Sequence, residues 1–188
     1  DSPEKEPRVK VGGSECSRPY ESSHLNISAM SFGALSRNAI LALNAGAKKS
    51  GMSHNTGEGG PSPYHLEHGG DLVWQIGTGY FGCRTLGGQF EPEMFKDKAN
   101  LPAVKMIEIK LSQGAKPGHG GILPGAKVTK EIAAIRGVPL GQDVLSPPAH
   151  PAFDSPIGLL RFVARLRELA DGKPVGFKLC IGHRREFL

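Results

Sequence analysis

A glycine-rich segment in the first third of the chain carries a group of side chains that could do chemistry. Residues 53–60 read SHNTGEGG, in which Asn55 and Thr56 offer side-chain hydrogen bonds and Glu58 offers a carboxylate. The glycines allow backbone N–H groups to approach a ligand closely. A purely structural glycine-rich turn would have the same composition, so this segment gains meaning from the residues that accompany it.

Three lysines supply positive charge that could accompany such a segment. Lys116 lies in a second glycine-rich segment, QGAKPGHGGILPG at 113–125, while Lys110 ends the strand-like run MIEIK and Lys178 lies within VGFKL. An ammonium group inside an apolar strand needs an anionic partner or must lose its charge, because burying it alone is costly. Alternatively, its long side chain reaches water at the strand end. The two glycine-rich segments together predict a pocket for a planar polar cofactor and an anion.

Three other motifs lack the flanking residues that their usual function requires. GTGYFG at 77–82 has dinucleotide-binding spacing, but CRTLGGQFEP follows where a helix must open, so we interpret it as a bent hairpin. GGILPGAK at 120–127 lacks a Lys-Ser/Thr pair directly after its last glycine, which excludes a P-loop. Prolines and glycines surround His65 and His68, with His54 nearby, so surface or hydrogen-bonding histidines are favoured over metal ligands.

The composition is that of a folded domain without a nucleic-acid or membrane signature. The chain has 188 residues, 38% of them hydrophobic, and a formal net charge of +5, which suffices to bury a core. Its basic residues do not cluster as in nucleic-acid-binding proteins, and its apolar runs are too short to span a bilayer. Cys16, Cys83 and Cys180 are few and far apart, which favours free thiols in a reducing cytoplasm.

Strand-like and helical segments alternate along the chain. The predicted strands are 25–30, 71–76, 103–111 and 174–182, and the predicted helices are 38–49, 91–100, 129–137 and 155–172. Ser36 and Ser155 are expected as helix N-caps, Pro156 as a first helical residue and Gly51 as a stop signal. This alternation predicts parallel βαβ units in one domain, with the glycine-rich segments after strands, where a (β/α) barrel has its active site.

Five sequence blocks, taken in order and spacing, resemble the FMN domain of the glutamate synthase family. They are AMSFGALS (29–36), SHNTGEGG (53–60), IKLSQGAKPGHGGILPG (109–125), LSPPAH (145–150) and PVGFKL (174–179). The resemblance implies an α/β fold of the (β/α)8 TIM-barrel family. Residues 1–188 would form one partial barrel domain, covering roughly the first half to two-thirds of the barrel.

The same resemblance implies an FMN-dependent oxidoreductase. In the family, 2-oxoglutarate and ammonia, free or derived from glutamine, give 2-iminoglutarate, and reduced FMN supplies a hydride to yield L-glutamate. The loops that hold the flavin phosphate, and the cysteines of an iron–sulfur cluster, come later in the family than Leu188. A partner chain or a further part of the barrel is therefore expected, and the electron donor is left open.

The resemblance also implies roles for individual residues, position by position. Residues implied to contact FMN are Met30, Ser31, Gly33, Thr56, Lys110, Gln113 and Lys178. Three residues are implied to be catalytic: Glu58 at the ring edge and substrate, Lys116 on a substrate carboxylate, and Lys178 near N1 and O2. There Lys178 would stabilise the negative charge of the reduced ring.

Two positions depart from the family pattern. Many glutamate synthases read KPGEGGQLPG, whereas this chain has His119 in place of the glutamate and Ile122 in place of the glutamine. The glutamine position belongs to the family's 2-oxoglutarate contacts, so an oxidoreductase acting on a different oxo or hydroxy acid is one alternative. A catalytically silent scaffold is another. The HGG form is similar to the stand-alone branch, whose members lack a fused amidotransferase domain.

Overall fold

The computed structural model describes residues 6–113 and 119–187, which form an α/β structure. Its strands are β1 (Arg8–Val11), β2 (Tyr20–Ser23), β3 (Ser53–Asn55), β4 (Asp71–Ile76), β5 (Val104–Lys110), β6 (Ile122–Leu123), β7 (Val144–Leu145) and β8 (Val175–Lys178). Its α-helices are α1 (Arg37–Ser50), α2 (Pro63–Leu66), α3 (Pro92–Ala99), α4 (Lys130–Arg136), α5 (Pro156–Leu169) and α6 (Arg184–Phe187).

A four-stranded parallel sheet organises the structure. Its strand order is β3-β4-β5-β8, so the strands are neighbours in the order in which the chain makes them. Two small antiparallel pairs, β1 with β2 and β6 with β7, lie outside this sheet. Because the main strands are parallel, their carboxyl ends meet at one edge, and the segments that follow them are brought together there.

The helices begin and end where their capping residues require. Ser36 accepts a hydrogen bond from the backbone N–H of Ala39 at the start of α1, and Gly51 ends the helix in the left-handed conformation. Ser155 caps α5 in the same way, with Pro156 at its first position. The predictions for these helices are confirmed, although α5 ends at Leu169 rather than at residue 172.

One face of the sheet packs against helices α3 and α5. Trp74 of β4 stacks on Phe95 of α3 with ring centroids 5.1 Å apart, and Ile107 and Leu166 are buried in the same cluster. Burying each such side chain contributes about 1.5–3 kcal/mol relative to leaving it exposed. The alternation along β5 turns Glu108 and the residues at positions 106 and 110 to the opposite, more polar face.

The prediction of a strand at 25–30 is wrong, although this segment does contact β3. Only Ile27 forms a bridge, to His54, and the backbone of Met30 bonds that of Asn55. The polar stretch at 53–70, for which no strand or helix was predicted, contains β3 and α2. The sequence does not predict β3, because Ser53 and Asn55 are polar. Their side chains form hydrogen bonds instead of packing in an apolar core.

Other predicted segments are confirmed with shifted ends or are altered. β4 has its predicted bounds, whereas β8 covers only Val175–Lys178 of the predicted 174–182. GTGYFG forms successive turns and no helix opens at its last glycine, while the hairpin-like bridge joins Arg84 to Phe90 just beyond it. The pairs β1–β2 and β6–β7 were not predicted, since their strands have only two to four residues.

Three further observations concern membrane-spanning helices, metal-binding groups and cysteines. No helix within residues 6–113 and 119–187 is long and apolar enough to cross a membrane. In the same ranges, no three His, Cys, Asp or Glu side chains group closely enough to hold a metal ion. Cys16, Cys83 and Cys180 are free.

The histidines of the 53–70 segment differ in their surroundings. His68 is exposed and His65 is a buried hydrogen-bonding residue, as expected. His54 is neither, because it is fully buried and neither ring nitrogen has a partner among the described residues. Its ring lies 5.1 Å from that of His65. Burial, and to a smaller degree the neighbouring His65, lowers the pKa of His54 from 6.5 to about 4.

The low pKa of His54 predicts that the protein loses stability in mild acid. Because its folded pKa lies below its unfolded pKa, the stabilisation is complete above pH 6.5 and is lost as the pH falls towards 4. His54→Leu removes the titrating ring, so the free energy of unfolding should fall less steeply across this window. Urea denaturation at a series of pH values measures the slope, and exposed His68→Gln serves as the control. An unchanged slope in His54→Leu would contradict the prediction.

Candidate functional site

The candidate site lies at the edge of the sheet where the parallel strands end. Strand β3 ends at Asn55 and leads into the turn that carries Glu58, while β5 ends at Lys110 and β8 at Lys178. Lys110 and Lys178 are direct partners in the register of β5 and β8. The structure thus brings Glu58 and Lys110 into contact, and it places Lys178 beside Lys110 on the neighbouring strand.

Glu58, Lys110 and Gln113 form a closed triangle of polar contacts. Lys110 Nζ donates to Glu58 Oε2 over 3.2 Å and to Gln113 Oε1 over 2.9 Å, and Gln113 Nε2 donates to Glu58 Oε2 over 2.8 Å. The side chains of Lys110 and Glu58 are only 12% and 18% exposed. An ion pair so shielded from water is held more firmly than a surface pair. It fixes one carboxylate oxygen of Glu58, while the other, Oε1, accepts no hydrogen bond from the described residues.

Glycines let the neighbouring segments approach this triangle. Gly57 has φ +66°, and a Cβ there would lie 2.7 Å from the backbone nitrogen of Ser31. A Cβ on Gly77 would lie 2.8 Å from Glu58 Cβ. Both distances are too short for a side chain, so glycine at these positions allows the turn of Glu58 to sit between the Ser31 segment and the end of β4.

Arg136 is a site residue that the sequence analysis missed. It is 4% exposed, it donates from Nη2 to the carbonyl of Phe32 over 3.1 Å, and its guanidinium carbon lies 5.2 Å from the Phe81 ring centre. Burial lowers the pKa of Arg136, and the negative charge of Glu58 counteracts this. Nε has no partner in the described part of the chain. An arginine before a helix-ending glycine gives no sequence signal, because that position usually faces solvent.

A small cavity of about 80 Å³ connects Arg136 with the triangle. Ser31, Glu58 and Ile122 are among the residues that line it. The guanidinium of Arg136 and the carboxylate of Glu58 therefore border the same small space. Such a pair can orient a ligand that carries both a carboxylate and an N–H group.

Thr56 and Met30 support the site from below and beside it. Thr56 is fully buried, and its hydroxyl donates to Gly57 O over 3.0 Å and accepts from Gln75 N over 3.1 Å. The Met30 carbonyl lies 2.9 Å from His65 Nε2, which donates because the other ring nitrogen accepts from Ser62 N. Thr56 thus holds the turn through its side chain, and His65 is a buried structural partner of Met30.

His150 attaches the LSPPAH segment to the end of β5. Its Nε2 lies 2.7 Å from the Lys110 carbonyl, and its Nδ1 lies 3.1 Å from the hydroxyl of Tyr80. Tyr80 has φ +49°, an uncommon conformation for a non-glycine residue. These bonds fix the backbone at Lys110, so the ammonium group starts from a defined position.

The remaining selected residues are placed as follows. Gly33 has φ +102° and lies beside Arg136, since a Cβ there would be 3.4 Å from Nη2. Lys178 lines a separate cavity of about 290 Å³ together with Asn55 and Glu108. Lys116 lies outside the described residues.

Comparison with known proteins places this geometry in context. The model of a conserved region in glutamate synthase matches residues 5–188. A glutamate synthase large subunit-like protein, YerD, of Bacillus subtilis is 43% identical over 178 residues, covering 94% of this chain and 34% of that protein. An archaeal-type glutamate synthase (NADPH) of Thermotoga maritima is 39% identical over 156 residues, 82% of this chain and 28% of the relative. An archaeal glutamate synthase (NADPH) of Methanocaldococcus jannaschii is 39% identical over 158 residues, with shares of 84% and 28%.

The ion pair of the triangle predicts a measurable coupling without any ligand. Lys110→Met leaves the shielded carboxylate of Glu58 without its cation, which should lower the free energy of unfolding by about 1–3 kcal/mol. In a Glu58→Gln background the same change should cost less, because no charge is left unpaired. Urea denaturation of the four variants gives the coupling energy.

The exposed pair of Arg18 and Asp171, whose side chains are 53% and 73% exposed, provides the control cycle. Its coupling should be within about 1 kcal/mol. Equal coupling in the two cycles would show that the shielding of the Lys110–Glu58 pair has no energetic effect.

Proposed function

Because the chain belongs to the glutamate synthase family, we propose that it forms part of an FMN-dependent oxidoreductase of glutamate synthase type. The reaction would be reductive amination of 2-oxoglutarate to L-glutamate through 2-iminoglutarate. The chain spans about a third of the length of the curated relatives it matches. The activity, substrates and electron donor of a whole protein of this kind are therefore part of the proposal.

The observation that carries the proposal is the cluster of Glu58, Lys110 and Gln113 at the carboxyl edge of a parallel sheet. In open α/β sheets and in barrels alike, ligands bind outside this edge. Four parallel strands adjacent in chain order also agree with the (β/α)8 barrel that we propose for the complete domain.

The donors and acceptors at this edge fit an isoalloxazine ring. The ring offers carbonyl oxygens and ring nitrogens that accept hydrogen bonds, and Lys110 and Gln113 present ammonium and amide donors. Lys178 follows from the adjacent strand. Ser31 and Gly33 lie on the other side of the Glu58 turn. These residues would hold the ring of FMN, which when reduced supplies the hydride.

The protein side of the reaction follows from the charges. Lys110 and Lys178 would stabilise the negative charge on the reduced ring. Arg136, which lines the small cavity beside Glu58, would bind a substrate carboxylate together with Lys116. Glu58, whose Oε2 is held by Lys110 and Gln113, would accept an N–H of ammonia or of the imine at Oε1.

A flavin titration tests the proposed function. The purified chain should bind added FMN, seen as quenched flavin fluorescence, and the photoreduced flavin should be reoxidised anaerobically by 2-oxoglutarate plus ammonia faster than by either alone. Glu58→Gln should slow this reoxidation by about 10²–10³-fold if the carboxylate acts on the reacting nitrogen. Exposed Glu67→Gln serves as the matched control. No flavin uptake at millimolar FMN would exclude this activity for residues 1–188 by themselves and favour the silent scaffold.

A second candidate function concerns the substrate. Ile122 and Leu145 are direct cross-strand partners on β6 and β7, and they are 70% and 64% exposed. Ile122 also lines the small cavity beside Glu58. An apolar pair here offers no partner for a second substrate carboxylate. This favours an oxidoreductase of the same type that acts on an oxo acid with an apolar side chain.

Ile122→Gln distinguishes the two substrates. An added amide donor should raise the rate ratio of 2-oxoglutarate over 2-oxobutyrate by about 10-fold or more, the usual effect of one specific polar contact. Reoxidation rates with each acid plus ammonia measure this ratio. Ile157→Gln on α5, an exposed isoleucine elsewhere, should leave it unchanged. An unaltered ratio in Ile122→Gln would contradict a specificity role for this position.

A further inference from the structure

Three polar side chains meet on the sheet face that is turned away from α3 and α5. Glu108 Oε1 accepts hydrogen bonds from Asn55 Nδ2 over 3.0 Å and from Gln75 Nε2 over 2.6 Å. The three residues come from the adjacent strands β3, β4 and β5. Glu108 precedes Lys110 by two residues and projects on the same face, so the cluster lies directly below the candidate site.

Glu108 determines which way the amide of Asn55 points. A carboxylate can only accept, so it requires the NH₂ group of Asn55, and this turns the amide oxygen to the other side. There, Asn55 Oδ1 accepts the backbone N–H of Gly57 over 3.0 Å. Without the carboxylate, the Gly57 N–H alone would orient this amide, so the bond to Gly57 would be held less firmly.

The Gly57 N–H links the orientation of the Asn55 amide to the candidate site. Gly57 lies in contact with Ser31 and directly precedes Glu58. Glu58 must present its carboxylate to Lys110 and Gln113 at hydrogen-bonding distance. A turn that is free to shift by a fraction of an ångström would break this geometry.

We propose that Glu108 is a positioning residue that holds the Glu58 turn by fixing the amide of Asn55. The importance of the turn for substrate and flavin rests on the proposed function, whereas the link from Glu108 to Gly57 does not. Glu108 touches neither Glu58 nor Lys110 within the described hydrogen bonds. It acts through Asn55 and is not itself a catalytic residue.

The test compares substitutions that keep or remove the acceptor. Glu108→Gln keeps an oxygen that accepts from Asn55 and Gln75, while Glu108→Ala removes it. Met106→Ala is the matched control. Met106 lies on the same strand as Glu108 and lines the same cavity of about 290 Å³, and its substitution removes volume but no hydrogen bond. Asn55→Ala and the double variant Asn55→Ala/Glu108→Ala complete the set, because residues acting through one another give non-additive effects.

Hydrogen–deuterium exchange of the Gly57 amide gives a readout that needs neither flavin nor turnover. In the chain without FMN, exchange should be about tenfold faster in Glu108→Ala, close to the original rate in Glu108→Gln, and unchanged in Met106→Ala. The double variant should exchange no faster than Asn55→Ala. Unaltered exchange in Glu108→Ala, or an equal rise in Met106→Ala, would overturn the inference.

The flavin assay then separates this inference from the proposed function. If the unsubstituted chain takes up FMN, Glu108→Ala should slow reoxidation at saturating oxo acid about tenfold, and Glu108→Gln should stay within about twofold. Equal losses in Glu108→Ala and Glu108→Gln would overturn positioning by the acceptor. Absence of FMN uptake by the unsubstituted chain would overturn the proposed function for residues 1–188 by themselves, while the exchange measurement would still decide the inference.

Discussion

The candidate site depends on the pairing of the Glu58 carboxylate with Lys110 where water is scarce. A carboxylate that is mostly shielded from solvent requires a cation and hydrogen-bond donors at contact distance. Lys110 and Gln113 provide these from the end of β5, 52 and 55 residues further along the chain. The parallel pairing of β3, β4 and β5 makes this possible, because it places the segments after all three strands at one edge.

The two faces of the sheet perform different tasks. The face towards α3 and α5 is filled by Trp74, Phe95 and their neighbours, and this packing fixes the positions of the strands. The opposite face carries amide and carboxylate groups that bond one another across β3, β4 and β5. Apolar burial supplies the stability, and the directional bonds of the polar face determine how the strand ends present their side chains.

Segments outside the main sheet complete the site from several sides. Arg136 reaches it from the last turn of α4, and His150 joins the LSPPAH segment to the Lys110 carbonyl. The antiparallel pair β6–β7 brings Ile122 and Leu145 to the rim, where the family pattern has a glutamine in place of Ile122. Under the proposed function, Ile122 would border the substrate while Lys110 and Lys178 would face the flavin ring, so a change at position 122 would leave these ring contacts in place.

The sequence determined the features that depend on neighbouring residues. Helices α1, α4 and α5 follow from their caps and apolar spacing, and β4 and β5 follow from their apolar content. The ordered motifs identified the family, which the match over residues 5–188 confirms. Gly33, Glu58, Lys110 and Gln113 were chosen from motif positions, and the structure brings them to the same region.

Only the tertiary structure decided which side chains reach one another. β3 is too short and polar to be recognised as a strand, because its stabilising partners, Asn26 and Glu108, are distant in sequence. Arg136 resembles an ordinary surface arginine until α4 packs it against Phe32 and Phe81. Local sequence records the propensity of each segment, whereas hydrogen bonds between distant side chains exist only once the strands have paired and fixed their register.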